Sequence, residues 1–322
     1  MRAALYDRTG PSEQVLRVTD IDRPEPGPGE VRVKITYSGV NPTDWKSRSG
    51  ATPRPIDGFQ IPHQDGAGVI DAVGDGVDPG RVGQRVWLWM AAAGRRWGTA
   101  AEWTVVPAGR AVPLPASASF ELGASLGVPA MTAHRCLLAD GPVDGKTILV
   151  AGGAGAVGHY AIELAKFHGA RVVTTVSGPE KAELAASAGA DLVVNYREPS
   201  AEQEIREFGP VDRVVEVALG ANLHLDLAVL RPGHEIVTYA ADGSDPVLPV
   251  RACMTANVVL RFVLLYGVPA EALEQAAADV AAAVASRALT ELPVHTYPLD
   301  EIVAAQDAVQ NRAVGKVLVR PA

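Results

Sequence analysis

The chain has 322 residues, of which 48% are hydrophobic and 20% are charged, and its formal net charge is −8 at pH 7. This length predicts two domains, and the composition is typical of well-filled globular cores. The acidic balance counts against a general nucleic-acid binder, which needs clustered Lys and Arg to neutralise phosphates. The cysteines, Cys136 and Cys253, are too few for a disulfide framework or a four-thiolate zinc site, so we expect a reducing, cytoplasmic location.

The chain also lacks the usual signs of targeting to a membrane. Its first residues, MRAALYDRTG, contain no apolar run of the signal-peptide kind. The longest apolar run, NVVLRFVLLYGV, is short for a membrane span and includes Arg261. We therefore expect neither secretion nor membrane insertion.

Short strand-like segments separated by Pro and Gly occupy the chain up to about Ala118. They are EVRVKITYSGV, GAGVIDAVG, QRVWLW and AAEWTVV. Such punctuation predicts a compact barrel or sandwich of β-strands. NPTDWKSRSG is the exception: we predict one helix there, opened by Asn41 and Pro42, because Pro suits the first helical turn.

From Phe120 onward, helical and strand-like segments alternate, beginning with the helical pattern ELGASLGVPAMTAHRCLL. The predicted strands are KTILVA, ARVVTTV, ADLVVN, VDRVVEV and GHEIVTY. The predicted helices between them are HYAIELAKFHG, PEKAELAASAG, AEQEIREFG and NLHLDLAVLRPG. Continuous Val/Ile strands alternating with helices predict an α/β Rossmann fold, a doubly wound parallel sheet with helices on both faces.

After about Arg261 the alternation stops. A long Ala-rich helix, AEALEQAAADVAAAVASRA, is followed by LPVHTYPLDEIVAAQDAVQNRAVGKVLV. The last segment reads as a strand, a helix and a strand, which we expect to return to the first domain and complete it.

A glycine-rich loop, AGGAGAVG, joins the first strand of the alternating region to its first helix. Its spacing satisfies both GxGxxG and GxxGxxG, and the strand before it and the helix after it give the context that a dinucleotide site requires. Glycines let the backbone approach a pyrophosphate, and the helix N-terminus supplies N–H donors. A tight turn without a ligand is the alternative. The predicted cofactor-binding residues of the loop are Gly152, Gly155, Ala156, Val157 and Gly158.

The end of the second strand predicts which dinucleotide binds. NAD-preferring sites place an acid there to hold the ribose 2′-hydroxyl, whereas this chain has Ser177, with Lys181 one helical turn later. Tyr196 and Arg197 follow the third strand and reach the same rim. Glu180 is an acid close to this position and counts against a preference for NADPH. Alternatively, it is a solvated acid in the first turn of a helix. We expect NADPH to be preferred over NADH.

These motifs together resemble the zinc-independent quinone oxidoreductases of the medium-chain dehydrogenase/reductase superfamily, the group that includes zeta-crystallin. The resemblance covers PGPGEVRVKITYSGVNPTDWKSRSG, IPHQDGAGVIDAVGDGV, VGQRVW, VPAMTAHRCL, the glycine loop, NYRE and AVGKVLV. It implies a Rossmann NADP-binding domain inserted into a GroES-like β-rich catalytic domain. We expect the boundaries to be 1–122 with 264–322 for the catalytic domain and 123–263 for the Rossmann domain.

The resemblance also implies site residues. It makes Asn41 and Thr132 the catalytic donors beside the nicotinamide and the substrate. Asn41 could equally be the N-cap of its helix, Asp44 an ordinary first-turn acid, and the segment from Val263 to Leu265 plain core strand. The cofactor-lining residues that the resemblance adds are Asp44, Tyr239, Val263, Leu265 and Lys316.

The chain departs from the zinc enzymes of this superfamily. Asn41 stands where they carry a Cys, and His63-Gln64 lies near the position of their His-Glu pair. His63 and Asp65 have no evident third ligand, so we expect no metal and assign His63 a packing or hydrogen-bonding role. Related reductases carry a Tyr shortly after RSG, where this chain has Ala51, so no general acid is evident.

The segment VWLWMAAAGRRWGTA is unusually aromatic and basic. Trp87, Trp89 and Trp97, together with Trp45 of the short helix, could line a flat acceptor site, and Arg95 and Arg96 could meet an anionic group. Core tryptophans and a solvated basic turn are the alternative.

The function predicted from these patterns is an NADPH-dependent reductase of quinones or related α,β-unsaturated carbonyls that acts without zinc, as a cytoplasmic homodimer. Two alternatives stay open at this point. One is an enoyl-thioester reductase that uses Arg95 and Arg96 to hold a phosphorylated carrier. The other is a non-catalytic NADPH-binding structural or RNA-binding protein, although the acidic charge counts against RNA.

Overall fold

The computed structural model describes residues 1–52, 54–241 and 245–322. By internal contacts the chain divides into two compact units, residues 1–128 with 291–322 and residues 129–290. Among the described residues, none of the helices has the length and hydropathy needed to cross a membrane.

The first unit is built mainly from antiparallel strands. Its elements up to the junction are β1 (Arg2–Leu5), α1 (Ser12–Val15), β2 (Arg17–Asp20), β3 (Glu30–Gly39), α2 (Pro42–Ser49), β4 (Asp65–Val73), β5 (Arg85–Leu88), β6 (Trp103–Pro107), β7 (Ala111–Pro113) and α3 (Phe120–Leu138), with 3-10 turns at Pro79–Arg81 and Ala108–Arg110. The helix predicted at NPTDWKSRSG is α2. The helix α3 runs through the junction between the two units.

The second unit contains a parallel sheet and the helices around it. Its elements are β8 (Thr147–Ala151), α4 (Ala156–Phe167), β9 (Arg171–Val176), α5 (Pro179–Ser187), β10 (Leu192–Asn195), α6 (Ala201–Phe208), β11 (Val211–Glu216), α7 (Leu219–Val229), β12 (Leu230–Thr238), α8 (Val250–Ala256), β13 (Val259–Phe262), the 3-10 turn Leu265–Gly267 and α9 (Ala270–Ala285). The strand order is β10-β9-β8-β11-β12-β13, and the pairs are parallel. The predicted doubly wound sheet is confirmed.

The chain then returns to the first unit with β14 (Val294–Pro298), the 3-10 turn Leu299–Glu301, α10 (Ile302–Gln310) and β15 (Lys316–Arg320). β15 pairs antiparallel with β3, in the sheet ordered β14-β15-β3-β4-β5-β7, and β6 also pairs with β3. The strand, helix and strand predicted to complete the first domain are therefore confirmed.

Each unit has its own hydrophobic interior. In the first unit Val33, Ile70 and Val86 are fully buried between the strands of the large sheet. In the second unit Val173 and Val214 are fully buried among the strands and helices of the parallel sheet. Both-sided burial explains why the strands of the second unit are continuous Val/Ile runs.

Two expectations differ from the structure. NLHLDLAVLRPG was predicted as one helix, but α7 ends at Val229 and β12 begins at Leu230, which pairs with Val211. Pro232 explains the early end, because it cannot continue a helix and it favours extended backbone at the preceding residue. The strand β13, within NVVLRFVLLYGV, was also not predicted; it pairs with β12 and ends at Phe262, so the alternation does stop near Arg261.

The compact units also differ from the predicted domain boundaries. The contacts place residues 264–290, including α9, with the second unit rather than with the catalytic domain, and they place residues 123–128 with the first. The side chain of Asp279 on α9 bonds to His134 on α3 at 2.8 Å, and Glu163 on α4 accepts from the Thr290 backbone N–H at 3.1 Å. These long-range bonds tie the Ala-rich helix to the second unit.

Candidate functional site

The glycine loop lies where β8 ends and α4 begins. Gly152 has φ of +71°, a conformation that favours glycine, and Gly155 is the N-cap of α4. The Gly152 N–H donates to the Thr175 carbonyl of β9 at 3.0 Å, which ties the loop to the neighbouring strand. The loop therefore presents the N-terminus of a helix, where backbone N–H groups are free to bind an anion.

The glycines of the loop have different physical roles. A Cβ on Gly153 would collide with the Thr174 side chain, and a Cβ on Gly158 would collide with the Gly152 carbonyl, so both are required by packing. A Cβ on Gly155 would meet only the Gly152 oxygen at 3.4 Å, and Gly155 is exposed. Gly155 is thus the glycine that packing does not demand and that a bound pyrophosphate would explain.

Most of the remaining predicted cofactor residues lie at one edge of the parallel sheet, where its strands end. Ser177 follows β9, Tyr196 follows β10, Tyr239 follows β12 and Val263 follows β13. The carboxyl edge of such a sheet is where ligands bind in open α/β folds. Leu265, in the next 3-10 turn, is buried. The residues that directly follow these strands therefore lie at the same edge of the sheet.

The residues expected to choose between NADPH and NADH are close together. The Lys181 ammonium donates to the Ser177 hydroxyl at 3.1 Å, and the Tyr196 N–H donates to the Val176 carbonyl at 3.1 Å. Glu180 is exposed in the first turn of α5. This rim presents a lysine and a hydroxyl that fit a phosphate on the ribose.

Sequence reasoning missed the end of β11, which is adjacent to β8. A Cβ on Gly152 would lie 3.2 Å from Val217 Cγ1, so this strand end lines the glycine loop. Glu216 accepts hydrogen bonds from the Ala218 N–H and, at 3.0 Å, from the Asn222 side chain. Burial, together with the neighbouring Glu216 carboxyl, raises the pKa of Asp226 well above its ordinary value. The sequence contained a signal for this site: Glu216 is the last residue of a Val-rich strand, just as Ser177 directly follows such a strand.

Asn41, in the first unit, is held by two charged side chains. Its Nδ2 donates to Asp65 Oδ2 at 2.6 Å, and its Oδ1 accepts from the Lys316 ammonium at 2.8 Å. Lys316 Nζ lies 3.6 Å from Asp65 Oδ2, and Asp65 Oδ1 accepts from the Val128 N–H at 2.8 Å. Asn41, Asp65 and Lys316 are all buried. One Nδ2 hydrogen of Asn41 is left over after these bonds.

Asp44 adds a third buried ionisable group beside this network. Its carboxylate accepts from the Asn41 backbone N–H at 2.7 Å, so Asn41 does occupy the N-cap position, while its side chain bonds elsewhere. Burial raises the pKa of Asp44 to about 8 and also raises the pKa of Asp65, while burial lowers the pKa of Lys316. Asp44 is therefore largely protonated at neutral pH.

His63 has the hydrogen-bonding role expected from the sequence. Its Nδ1 bonds to the Ser38 hydroxyl at 2.8 Å, and its Nε2 lies 3.4 Å from the Gln306 amide nitrogen. Burial lowers the pKa of His63 to about 3, so the ring is neutral at physiological pH.

The residues at this position do not fit a zinc ion. Zinc prefers thiolate, imidazole and carboxylate ligands, whereas Asn41 and Gln64 supply amides and Lys316 places an ammonium beside Asp65. Over residues 1–52, 54–241 and 245–322, no group of three or more His, Cys, Asp or Glu side chains could hold a metal ion. The Lys316 ammonium already balances the charge of the Asp65 carboxylate.

The other predicted site residues are buried or half-buried. Thr132 is buried in α3, within the second unit. Trp45 is half-buried on α2, and Trp89 is buried with the Arg110 guanidinium 5.5 Å from its ring. The Arg95 guanidinium pairs with Glu30 at 2.5 Å.

Arg96 is ion-paired as well, with Asp57 at 2.5 Å. These pairings favour packing and structural roles for the aromatic and basic loop over the binding of an acceptor or of a phosphorylated carrier.

Comparison with known proteins identifies the family. The family model "Alcohol dehydrogenase GroES-like domain" matches residues 27–116, and "Zinc-binding dehydrogenase" matches residues 156–282. A solved NAD-dependent alcohol dehydrogenase is similar in structure, with a TM-score of 0.91 at 26% identity over 100% of both chains. A mycobacterial protein solved in complex with NADPH has a TM-score of 0.85 at 31% identity over 100% of both chains.

Human quinone oxidoreductase is 30% identical, over 99% of this chain and 97% of its own length. The chain therefore belongs to the quinone oxidoreductase family of the medium-chain dehydrogenase/reductase superfamily.

Proposed function

We propose that this protein is an NADPH-dependent reductase of quinones or related α,β-unsaturated carbonyls and that it acts without zinc. The observation that carries the proposal is the Asn41–Asp65–Lys316 network, which places an oriented amide and an ammonium where zinc enzymes of the superfamily carry a thiolate. The oxidoreductase relatives and the NADPH complex of a structural neighbour support an NADPH-dependent oxidoreductase activity.

The second unit supplies the groups that fit NADPH. The glycine loop and the N-terminus of α4 would hold the pyrophosphate, with Gly155 leaving room for close approach. Lys181 and Ser177 would bind the 2′-phosphate through charge-assisted hydrogen bonds. NADPH, when bound, supplies the hydride for the reduction.

The first unit supplies a donor for the oxygen of the acceptor. Lys316 and Asp65 hold opposite ends of the Asn41 amide, so the remaining Nδ2–H has a fixed direction. A preorganised donor stabilises the negative charge that develops on a carbonyl oxygen when hydride is added. In this proposal Asn41 binds the oxygen, and Lys316 and Asp65 hold its amide in place. This is the role that zinc plays in the metal-dependent relatives. The role of Thr132 as a donor stays what the family resemblance implies.

The direct test is turnover with the purified full chain. We expect stopped-flow oxidation of NADPH by a panel of quinones and enones, faster than with NADH, in protein that contains no stoichiometric zinc by elemental analysis. Activity should survive dialysis against a chelator. Failure to oxidise NADPH with every quinone and enone would overturn the proposed activity, and loss of activity on chelation would overturn its independence of zinc.

We also propose that the protein forms a homodimer through β13. This strand is at the end of the parallel sheet, and Phe262 is 72% exposed and Leu264 68% exposed. An exposed apolar edge strand is a template for pairing with another chain, and a two-fold axis lets it pair with its own copy.

The free thiols of Cys136 and Cys253 support a reducing, cytoplasmic location.

A further inference from the structure

A small pocket opens beside α2 in the first unit. Asp44 and Ser47, three residues apart, lie on one face of the helix and line it, and Gln64 lines it from the segment before β4. Ile56 and Pro62 add apolar walls. Neither Ser47 nor Gln64 belongs to the amide network of Asn41.

Two buried polar atoms in this pocket have no hydrogen-bond partner among the residues that the structure describes, Ser47 Oγ and Gln64 Oε1. Ser47 is 8% exposed and Gln64 is 4% exposed. A helical serine commonly bonds to the carbonyl one turn back, which Ser47 does not do. A buried polar group without a partner costs roughly 1–3 kcal/mol, so two in one pocket point to a ligand that satisfies both.

The size and charge of the pocket limit what that ligand is. Its volume of about 20 Å³ admits a group the size of one oxygen atom or water molecule and excludes a whole ring. The pocket offers the Ser47 hydroxyl, the Gln64 amide and the Asp44 carboxyl, which burial keeps largely protonated by raising its pKa to about 8. Arg54 lines the same space and adds positive charge. These groups suit an oxygen that accepts hydrogen bonds and gains negative charge.

We propose that Ser47 and Gln64 bind an oxygen of the carbonyl acceptor and thereby contribute to the choice of substrate. The inference rests on the proposed function, which makes the acceptor a quinone or an enone. The Ser47 hydroxyl donates to the carbonyl oxygen. Gln64 Oε1 is an acceptor, so the Gln64 amide rotates to donate its Nε2–H to the carbonyl oxygen, and accepts through Oε1 from the hydroxyl of the product.

The test compares Ser47→Ala, Gln64→Met and the double variant with the wild type. For 1,4-naphthoquinone we expect each single change to raise the KM and the Kd about 2- to 10-fold and the double change about 10- to 100-fold, as lost neutral hydrogen bonds do. The affinity for NADPH should be unchanged. Since neither atom has a hydrogen-bond partner in the part of the chain that the structure describes, the midpoint of urea unfolding should stay the same or rise.

Ser49→Ala is the matched control, because Ser49 lies on the same helix and its hydroxyl donates to the Lys46 carbonyl at 3.1 Å. It should leave the naphthoquinone KM unchanged. A KM and Kd unchanged in the double variant would overturn the inference, and would show that the pocket holds water alone. A lower unfolding midpoint with an unchanged KM would equally overturn it and show a structural role.

Binding and turnover separate this inference from the proposed function. If the wild type binds naphthoquinone without oxidising NADPH, and the double variant binds it more weakly, the proposed reductase activity is overturned and the proposed role of Ser47 and Gln64 is supported. If the wild type reduces naphthoquinone and the variants have the same KM and Kd, the role of Ser47 and Gln64 is overturned and the activity is supported. Absence of both binding and turnover overturns both.

Discussion

The ammonium of Lys316 donates a hydrogen bond of 2.8 Å to the side-chain oxygen of Asn41, although 275 positions separate the two residues in the chain. The same amide donates to Asp65, so a buried cation and a buried anion hold its two ends. An amide held at both ends points its remaining N–H in one direction. The contact makes Lys316 a positioning residue for Asn41, a different role from the cofactor contact expected from sequence resemblance.

Lys316→Met should therefore lower both stability and activity. It leaves the Asp65 carboxylate without its cation, at a cost of about 3–5 kcal/mol in unfolding free energy, and it frees the Asn41 amide, which we expect to lower kcat about 100-fold. The double change Lys316→Met/Asp65→Asn should recover most of the stability, measured by urea unfolding, but little of the activity. Full activity in the double variant would contradict the positioning role.

Lys181→Ala tests the cofactor preference. The lysine bonds to Ser177 at the rim of the sheet, and loss of one charge-assisted hydrogen bond to a 2′-phosphate should raise the Kd for NADPH about 10- to 100-fold. The Kd for NADH should change by less than about twofold, because NADH has no such phosphate. Fluorescence titration with both cofactors checks this. Equal weakening of both would show that Lys181 does not read the phosphate, and Ser177→Asp should shift the preference toward NADH.

Gly155→Ala and Gly153→Ala should separate cofactor binding from packing. The added methyl at Gly155 lies near the Gly152 oxygen at 3.4 Å, so we expect an unchanged melting temperature but weaker binding of NADPH and NADH alike. The methyl at Gly153 collides with Thr174, so that variant should lose stability. Thermal unfolding and cofactor titration of both variants measure the two effects. Unchanged affinity in Gly155→Ala would contradict pyrophosphate binding at this loop.

Asp44→Asn should change how stability depends on pH. Burial raises the pKa of Asp44 to about 8 in the folded protein, so the folded state holds a proton that the unfolded chain loses near pH 4. Its contribution to stability is complete at low pH and is lost as the pH rises toward 8, with a slope of about 1.4 kcal/mol per pH unit between roughly pH 5 and 7. Urea unfolding from pH 5 to pH 8.5 measures the unfolding free energy of both proteins. The value for the wild type minus the value for Asp44→Asn should fall with this slope. Parallel profiles would show that Asp44 is ionised throughout.

Phe262→Asp should separate the subunits. The side chain is exposed on the edge strand β13, so a charge there opposes pairing with a second copy at little cost to the fold of one chain. We expect a dimer for the wild type and a monomer for the variant in size-exclusion chromatography with light scattering. Phe167→Asp is the control, since Phe167 is also exposed but ends α4. A monomeric wild type would contradict the proposal.

The parallel sheet and its rim were largely predictable from the sequence. Val/Ile runs, helical patterns and the glycine spacing are all local signals. A residue that directly follows a predicted strand is expected at the edge of the sheet where that strand ends. Recognising the strands was therefore enough to predict that Ser177 and Tyr196 lie at the same edge of the sheet. The early end of α7 was missed because Pro232 acts against a hydrophobic pattern that continues past Val229.

The Asn41 network, the Ser47–Gln64 pocket and the limits of the units were decided by tertiary structure. Lys316 reaches Asn41 only because β15 pairs with β3, and no local pattern relates two residues so far apart in the chain. The sequence by itself determined a dinucleotide-binding sheet, because hydrophobic period and glycine spacing act between neighbouring residues. The tertiary structure decided that an ammonium supports the Asn41 amide, because burial and hydrogen bonding between distant segments exist only once the chain has folded.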